Sequence, residues 1–212
     1  MLASASPARL TLLRSAGIGA DVVVSGVDES GVDADRPDEV CGTLARLKAA
    51  AVAATLNTGA AGTLVLGCDS VLAFGGAILG KPADAAEAAA RWREMRGNSG
   101  VLYTGHCLID VATGRDAHAV AATTVHFADV TDQEIAGYVA TGEPLHVAGA
   151  FTIDGLGGVF VERIEGDAGT VIGLSLPLLR RLMRMLNTEI TDFWAQPPTT
   201  AASAGRHAAA LG

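Results

Sequence analysis

A carboxylate sits in the middle of an apolar run. Residues 64–74 read LVLGCDSVLAF, so Asp69 is flanked on both sides by residues that belong in a core. Residues 64–66 predict a buried strand, and residues 71–74 continue it up to a Gly75-Gly76 turn. An ionised carboxylate inside such a run is costly unless it meets a metal ion, a cation or hydrogen-bond donors. Lys81 follows shortly after the turn. The expectation is that Asp69 meets a metal and a phosphate, and that Lys81 meets the same phosphates.

The rest of the composition limits what such a site can serve. The chain has 212 residues, half of them apolar, which is ample for a core. Aromatics are 4%, so Ala, Val, Leu and Gly do the filling. A formal net charge of −8 argues against a general nucleic-acid or anionic-membrane binder, because nothing offsets repulsion from a polyanion. A small phosphate ligand needs only a few well-placed cations. No apolar run reaches about 18 residues without charge, so no membrane span is expected. The N-terminus lacks a basic-then-apolar signal pattern. Cys41, Cys68 and Cys107 are odd in number and lack CxxC spacing, which predicts reduced core thiols in a cytoplasmic chain.

Strand and helix patterns interleave, which gives an α/β class with antiparallel pairing in the middle. Strands are expected at residues 1–6, 21–24, 64–74, 101–111 (with a glycine kink), 119–127, 147–153 and 159–164. Helices are expected at residues 9–16, 38–56, 85–95, 131–140 and 176–186. Ser6 with Pro7 reads as a helix start and Asp38 as a cap, and Asp84/Glu87 and Thr131/Glu134 have capping-box spacing. Residues 26–38 read as an acidic, turn-rich loop and 57–62 as a second loop. Residues 1–187 are taken as one domain, and 188–212 as a tail expected to be disordered.

One motif misleads. GGAILGKP at residues 75–82 fits GxxxxGK, but Pro82 stands where a P-loop needs a hydroxyl for Mg²⁺ and an N–H for phosphate. A β-turn-β reading fits better. The histidines, His106, His118, His126, His146 and His207, show no metal-ligand spacing and read as structural or surface residues. Ser175 in GLSLP is not a nucleophile elbow. What remains is Ser4, Ser6 and Arg9 around a strand-to-helix turn, Glu29, Lys48, Asp69 and Lys81. Helix N-termini suit anions, and these residues supply hydroxyls, cations and two carboxylates. Spacing alone does not separate that set from the polar scatter of most soluble proteins.

The order of the pieces adds more. LASASPARLTLL (2–13), VDE (27–29), LARLKA (44–49), GCDSV (67–71), LGKP (79–82), GEPLHVAGAFTIDGLGG (142–158) and VIGLSLPLL (171–179) together resemble the Maf (septum-formation inhibitor-like) family of nucleoside triphosphate pyrophosphatases. The resemblance runs from residue 2 to about 186. It implies a long mixed β-sheet with flanking helices and two lobes around a cleft, similar to the inosine-triphosphate pyrophosphatases. It implies hydrolysis of a nucleoside triphosphate to monophosphate and pyrophosphate, with Mg²⁺ or Mn²⁺, in house-cleaning of non-standard nucleotides, by a homodimer. It places Ser4, Ser6, Arg9, Glu29, Lys48, Asp69 and Lys81 in the cleft, with Asp69 as proton acceptor. Arg9, Lys48 and Lys81 would clamp the triphosphate, and Glu29 and Asp69 would hold the metal. The hydroxyls of Ser4, Ser6 and Ser70 would give neutral hydrogen bonds near the phosphates.

Three positions tied to substrate choice in the family depart from its dTTP/UTP-specific pattern: Ala8, Ser70 and Asp154, where those members carry Arg, Thr and Gln. The hydrolytic set is kept while base preference is left open. The family also usually has more residues ahead of the first block, which implies a clipped or mis-started first strand. The alternative function is a non-catalytic nucleotide-binding regulator of cell division.

Overall fold

Two glycines decide how closely the first long helix lies on the sheet. A Cβ at Gly67 would sit 2.2 Å from the Ala45 carbonyl oxygen, and one at Gly105 would sit 2.2 Å from that of Cys41. Backbone therefore lies directly on backbone at both points. Gly67 is on strand β1 (Leu64–Phe74), Gly105 on β3 (Ser99–Asp110), and both meet helix α2 (Pro37–Ala53). Ala45 and Ala49 complete the contact from the helix side, beside Val52, Val65 and Cys107. Small residues at a helix–sheet contact set the spacing, as glycine in a strand often does.

The computed structural model describes residues 1–32, 34–56 and 62–194. It is an α/β fold around a five-stranded sheet in the order β2-β1-β3-β4-β5, where β2 is Ala77–Leu79, β4 is Asp116–Phe127 and β5 is Val161–Glu165. All four pairings are antiparallel. The mixed character expected of the sheet is confined to two parallel bridges made by Leu2, to Val22 and to Leu66. Helix α1 (Pro7–Ser15) follows the first bridge, and α3 (Ala85–Met95), α4 (Asp132–Ala140), α5 (Ala168–Ile172) and α6 (Leu176–Met185) complete the chain order. Among the described residues no helix is long and apolar enough to cross a membrane.

Side chains alternate across β1 and so sort into two sets. Val65, Gly67 and Asp69 face α2. Leu64, Leu66 and Cys68 face the other way, into a core with α6 residues Leu178, Leu182 and Met183. Leu72, on that same face, belongs to a second core built around Trp92, Phe127, Tyr138 and Phe151. Trp92 meets Phe127, Tyr138 and Phe160 edge-on at 5.5–5.8 Å, an arrangement ring quadrupoles favour. Between the two cores the same face carries Ser70 on β1, Thr104 on β3 and Thr123 on β4. Ser70 stands opposite Thr104, and Thr123 opposite Leu102.

Several expectations need correction. Residues 147–153 form no strand but 3₁₀ turns, Glu143–His146 and Ala148–Ala150. Gly149 and Ala150 both have positive φ, 70° and 61°, which strand geometry forbids. Trp92 Nε1 donates to the Ala150 carbonyl at 2.8 Å and holds the segment there. Residues 21–24 make only the Val22 bridge. Residues 156–160 are a 3₁₀ helix, so the strand expected from 159 starts at Val161. Gly105 is not a kink, since the register runs through it unbroken. Arg36, not Asp38, is the N-cap of α2; Asp38 lies in its first turn and pairs with Arg36 at 2.7 Å. Asp84 caps Glu87 N, but Glu87 returns to Ala83 N, whereas Thr131 and Glu134 form a full capping box. Past residue 187, Ile190–Phe193 is a 3₁₀ helix and Trp194 bridges Ile18. The loop at 57–61, residue 33 and the tail from 195 to 212 lie outside the described residues.

The helix seating makes a direct prediction. Gly105→Ala should destabilise the protein by about 3 kcal/mol in urea unfolding, since its methyl meets only backbone. Gly19→Ala, with nothing within 4 Å of its Cβ, should stay within about 0.5 kcal/mol of wild type. Equal effects would contradict the close contact.

Candidate active site

The seating of α2 delivers Lys48 to Asp69. Lys48 is buried, unlike most helix lysines, and its Nζ lies 2.6 Å from Asp69 Oδ1 and 2.7 Å from Glu29 Oε1. Glu29 reaches in from the 3₁₀ turn Glu29–Gly31 and stays largely exposed. Burial raises the Asp69 pKa above its ordinary 3.8; the charge and hydrogen bond of Lys48 oppose that rise. Two carboxylates against one ammonium leave this corner with net negative charge.

On the opposite face of β1, Arg9 is held by neutral partners alone. Its Nε donates to the Gly173 carbonyl at 2.8 Å, Nη1 to Ser4 Oγ at 2.9 Å and Nη2 to Ser70 Oγ at 3.1 Å. Among the described residues no carboxylate pairs with it, so its charge is available to an anion. Ser6 caps α1, its Oγ accepting from Arg9 N at 3.5 Å, while Pro7 opens the helix. Ala8 is half-buried on the same turn.

These two faces meet at a gap in the sheet edge. On its outer edge β1 is paired at Leu66 by the N-terminal segment and from Leu72 onward by β2. Between them lie Asp69 and Ser70. One rim is the segment leading through Ser4 and Ser6 into α1. On the other, the chain leaves β2 at Leu79, and Lys81 follows, exposed and with no hydrogen bond or ion pair to the described residues. The Gly75-Gly76 turn that resembled a P-loop is a β-hairpin turn, with φ of 57° and 83°. Asp154 is exposed, bonded to Thr152 Oγ1, and touches neither cluster. A groove of about 390 Å³, lined by Arg46, Leu47 and Asp116 among others, lies between α2 and the β3–β4 hairpin, and no expected site residue lines it.

Sequence reasoning missed the layer beneath Arg9 and Ser70. Thr104 Oγ1 lies 2.8 Å from Ser70 Oγ and donates to the Thr170 carbonyl at 2.8 Å. Thr123 Oγ1 donates to the Asp167 carbonyl at 3.0 Å. His106 is structural, as expected: its Nδ1 faces the Thr104 carbonyl at 3.0 Å, so that nitrogen carries the proton, and Nε2 accepts from Ser175 N at 2.9 Å. Burial pushes its pKa down to about 4. Ser175 is the N-cap of α6. The thiols of Cys41 and Cys68 are pushed up by burial to about 12 and that of Cys107 to about 11, so none is a ready nucleophile. The available signal was a hydroxyl on the same face of each central strand, Ser70, Thr104 and Thr123, among mostly apolar neighbours.

Among the described residues no group of three or more acidic, histidine or cysteine side chains forms a cation cage. Glu29 and Asp69 nevertheless fit a Mg²⁺-type ion, which binds through one or two carboxylates and completes its shell with water and substrate phosphate. Both reach the same nitrogen, Lys48 Nζ.

Removing the ammonium tests this electrostatic account. Lys48→Met should cost about 3 kcal/mol in urea unfolding, because it strands a buried carboxylate. Adding Asp69→Asn on that background should recover part of the loss. A Lys48→Met protein as stable as wild type would show that the pair is not ionised in the fold.

The Maf-like protein family model matches residues 1–186. A nucleoside triphosphate pyrophosphatase of Salinispora tropica is 65% identical over 209 residues, 98% of this chain and 92% of its own length. One of Streptomyces coelicolor is 59% identical, covering 92% of this chain and 94% of its own length. One of Nostoc punctiforme is 52% identical, with 92% and 96% covered. With the family model and these relatives matching nearly its whole length, the chain belongs to the Maf family.

Proposed function

We propose that this chain is a metal-dependent nucleoside triphosphate pyrophosphatase that cleaves its substrate to the monophosphate and pyrophosphate. The observation that carries the reading is the charge pattern at the sheet-edge gap. Glu29 and Asp69 share one ammonium on one face, while Arg9 on the other is held by neutral groups, with no ion pair among the described residues. A triphosphate with its cation needs both: an acidic corner for the cation and free positive charge for the phosphates. The name carried by relatives 50–65% identical agrees with it.

In this reading Arg9 and Lys81 bind the triphosphate oxygens from the two rims of the gap, and the Ser4 and Ser6 turn lines one of them. Arg9 has five N–H bonds, three directed at protein acceptors, so two remain for phosphate. Glu29 and Asp69 hold the divalent cation, Mg²⁺ or Mn²⁺, which when bound supplies charge neutralisation at the phosphates. Asp69 orients the attacking water and takes its proton, and burial suits it to that task by strengthening it as a base. Lys48 keeps Asp69 ionised and aimed while the site is empty. Ala8, Ser70 and Asp154 are the positions at which base preference is set. A purely regulatory binder would not need the acidic corner, and nothing in the geometry favours one.

Asp69→Asn should keep the fold and lose pyrophosphate release by at least a hundredfold. In wild type the raised Asp69 pKa places the acid limb of kcat/KM above the ordinary 3.8, because activity requires the ionised form and falls as pH drops through the folded value. Pyrophosphate and orthophosphate assays across a nucleotide panel check both points. An active Asp69→Asn protein, or orthophosphate as the product, would contradict the assignment.

A further inference from the structure

We propose that Thr104 is a positioning residue of this site, acting through Ser70 to fix the guanidinium of Arg9 for a phosphate. The proposal rests on the reading of Arg9 as a phosphate-binding cation. Thr104 is fully buried on β3, directly opposite Ser70, and touches neither Arg9 nor the open gap.

Hydrogen counting fixes the direction of every link. A hydroxyl has one hydrogen, and a carbonyl oxygen can only accept. The Thr170 carbonyl oxygen is 2.8 Å from Thr104 Oγ1, so the Thr104 hydrogen goes there. Ser70 Oγ lies 2.8 Å from the same Thr104 oxygen and must then be the donor in that pair. The Ser70 hydrogen is thus committed inward, and its oxygen meets Arg9 Nη2 at 3.1 Å with lone pairs only. The chain runs Arg9 N–H to Ser70, Ser70 O–H to Thr104, and Thr104 O–H to the Thr170 carbonyl.

Two consequences follow. Ser70 does not donate to a phosphate, although the sequence suggested that role; it is an acceptor that orients Arg9. The Thr170 end of the chain lies in α5, and the Arg9 Nε partner Gly173 directly follows that helix. One short helix therefore anchors the guanidinium twice, through a carbonyl on Nε and through two hydroxyls on Nη2. Without the Thr104 hydroxyl, the Ser70 hydrogen loses its buried acceptor and turns outward, into the space Arg9 donates into.

Thr104→Val keeps the shape and removes the hydroxyl. Its KM for a nucleoside triphosphate, and its Kd for inorganic tripolyphosphate with Mg²⁺, should each rise about tenfold. Ser70→Ala should do the same. The double variant should be no worse than either single one, because both cut one chain. Thr104→Ser should restore most of the loss. A Thr104→Val protein with wild-type KM and Kd overturns the proposal, and so do additive losses in the double variant or a Thr104→Ser protein as impaired as Thr104→Val. If Thr104→Val does not fold, Ser70→Ala with wild-type KM and Kd overturns it alone. The tripolyphosphate arm separates the two readings. Wild type that binds tripolyphosphate but releases no pyrophosphate refutes the proposed activity and leaves the Arg9 chain to be judged on Kd. Wild type that binds none overturns the positioning role.

Discussion

Backbone-to-backbone contact between α2 and the sheet is the constraint on which the candidate site depends. Gly67 and Gly105 leave no room for even a methyl group, so the helix is seated at one distance from the sheet. That distance is within reach of a lysine side chain. Lys48 lies on the turn next to Ala45 and Ala49, the residues in closest contact, and its ammonium arrives at Asp69 two residues along β1 from Gly67. An ion pair is worth its desolvation only when its geometry is held, and here the geometry is held by packing that carries no charge of its own. Interiors transmit such constraints because they are close-packed.

The second organising feature is a set of hydroxyls across a largely apolar face. Leu64, Leu66 and Cys68 belong to one core and Leu72 to another, and Ser70, Thr104 and Thr123 lie between them. Buried hydroxyls are costly unless bonded, and each of these three is. Their partners are main-chain carbonyls of residues 167–170 and, through Ser70, Arg9. The set therefore fastens α5 to the sheet and carries Arg9 at its outer end. Alternation along β1 puts Asp69 on one face and Ser70 on the other, and the unpaired stretch of edge between Leu66 and Leu72 lets both address the same space.

Much of this was legible in the sequence. Asp69 announced itself as a carboxylate among apolar residues, and the strand around it and the helix holding Lys48 followed from periodicity. Arg9 and Glu29 needed the order of the blocks, because nothing local marks one arginine or glutamate among many. What was not legible depends on contacts distant in sequence. Gly67 and Gly105 read as ordinary strand glycines until α2 lies on them. Thr104 reads as a β-former until its partner at residue 170 is known. Residues 147–153 form a short apolar run like a strand, yet positive φ at Gly149 and Ala150, tied to Trp92 and Gly80, folds them into turns. Tertiary contact overrode local preference there.

Hydrolysis in ¹⁸O-labelled water tests the central claim most directly, because Asp69 is held to deliver water to the phosphorus nearest the nucleoside. Label in the nucleoside monophosphate and none in the pyrophosphate is the predicted result. Label in the pyrophosphate would mean attack at the next phosphorus along, and would contradict the assignment of Asp69 and of the gap beside it.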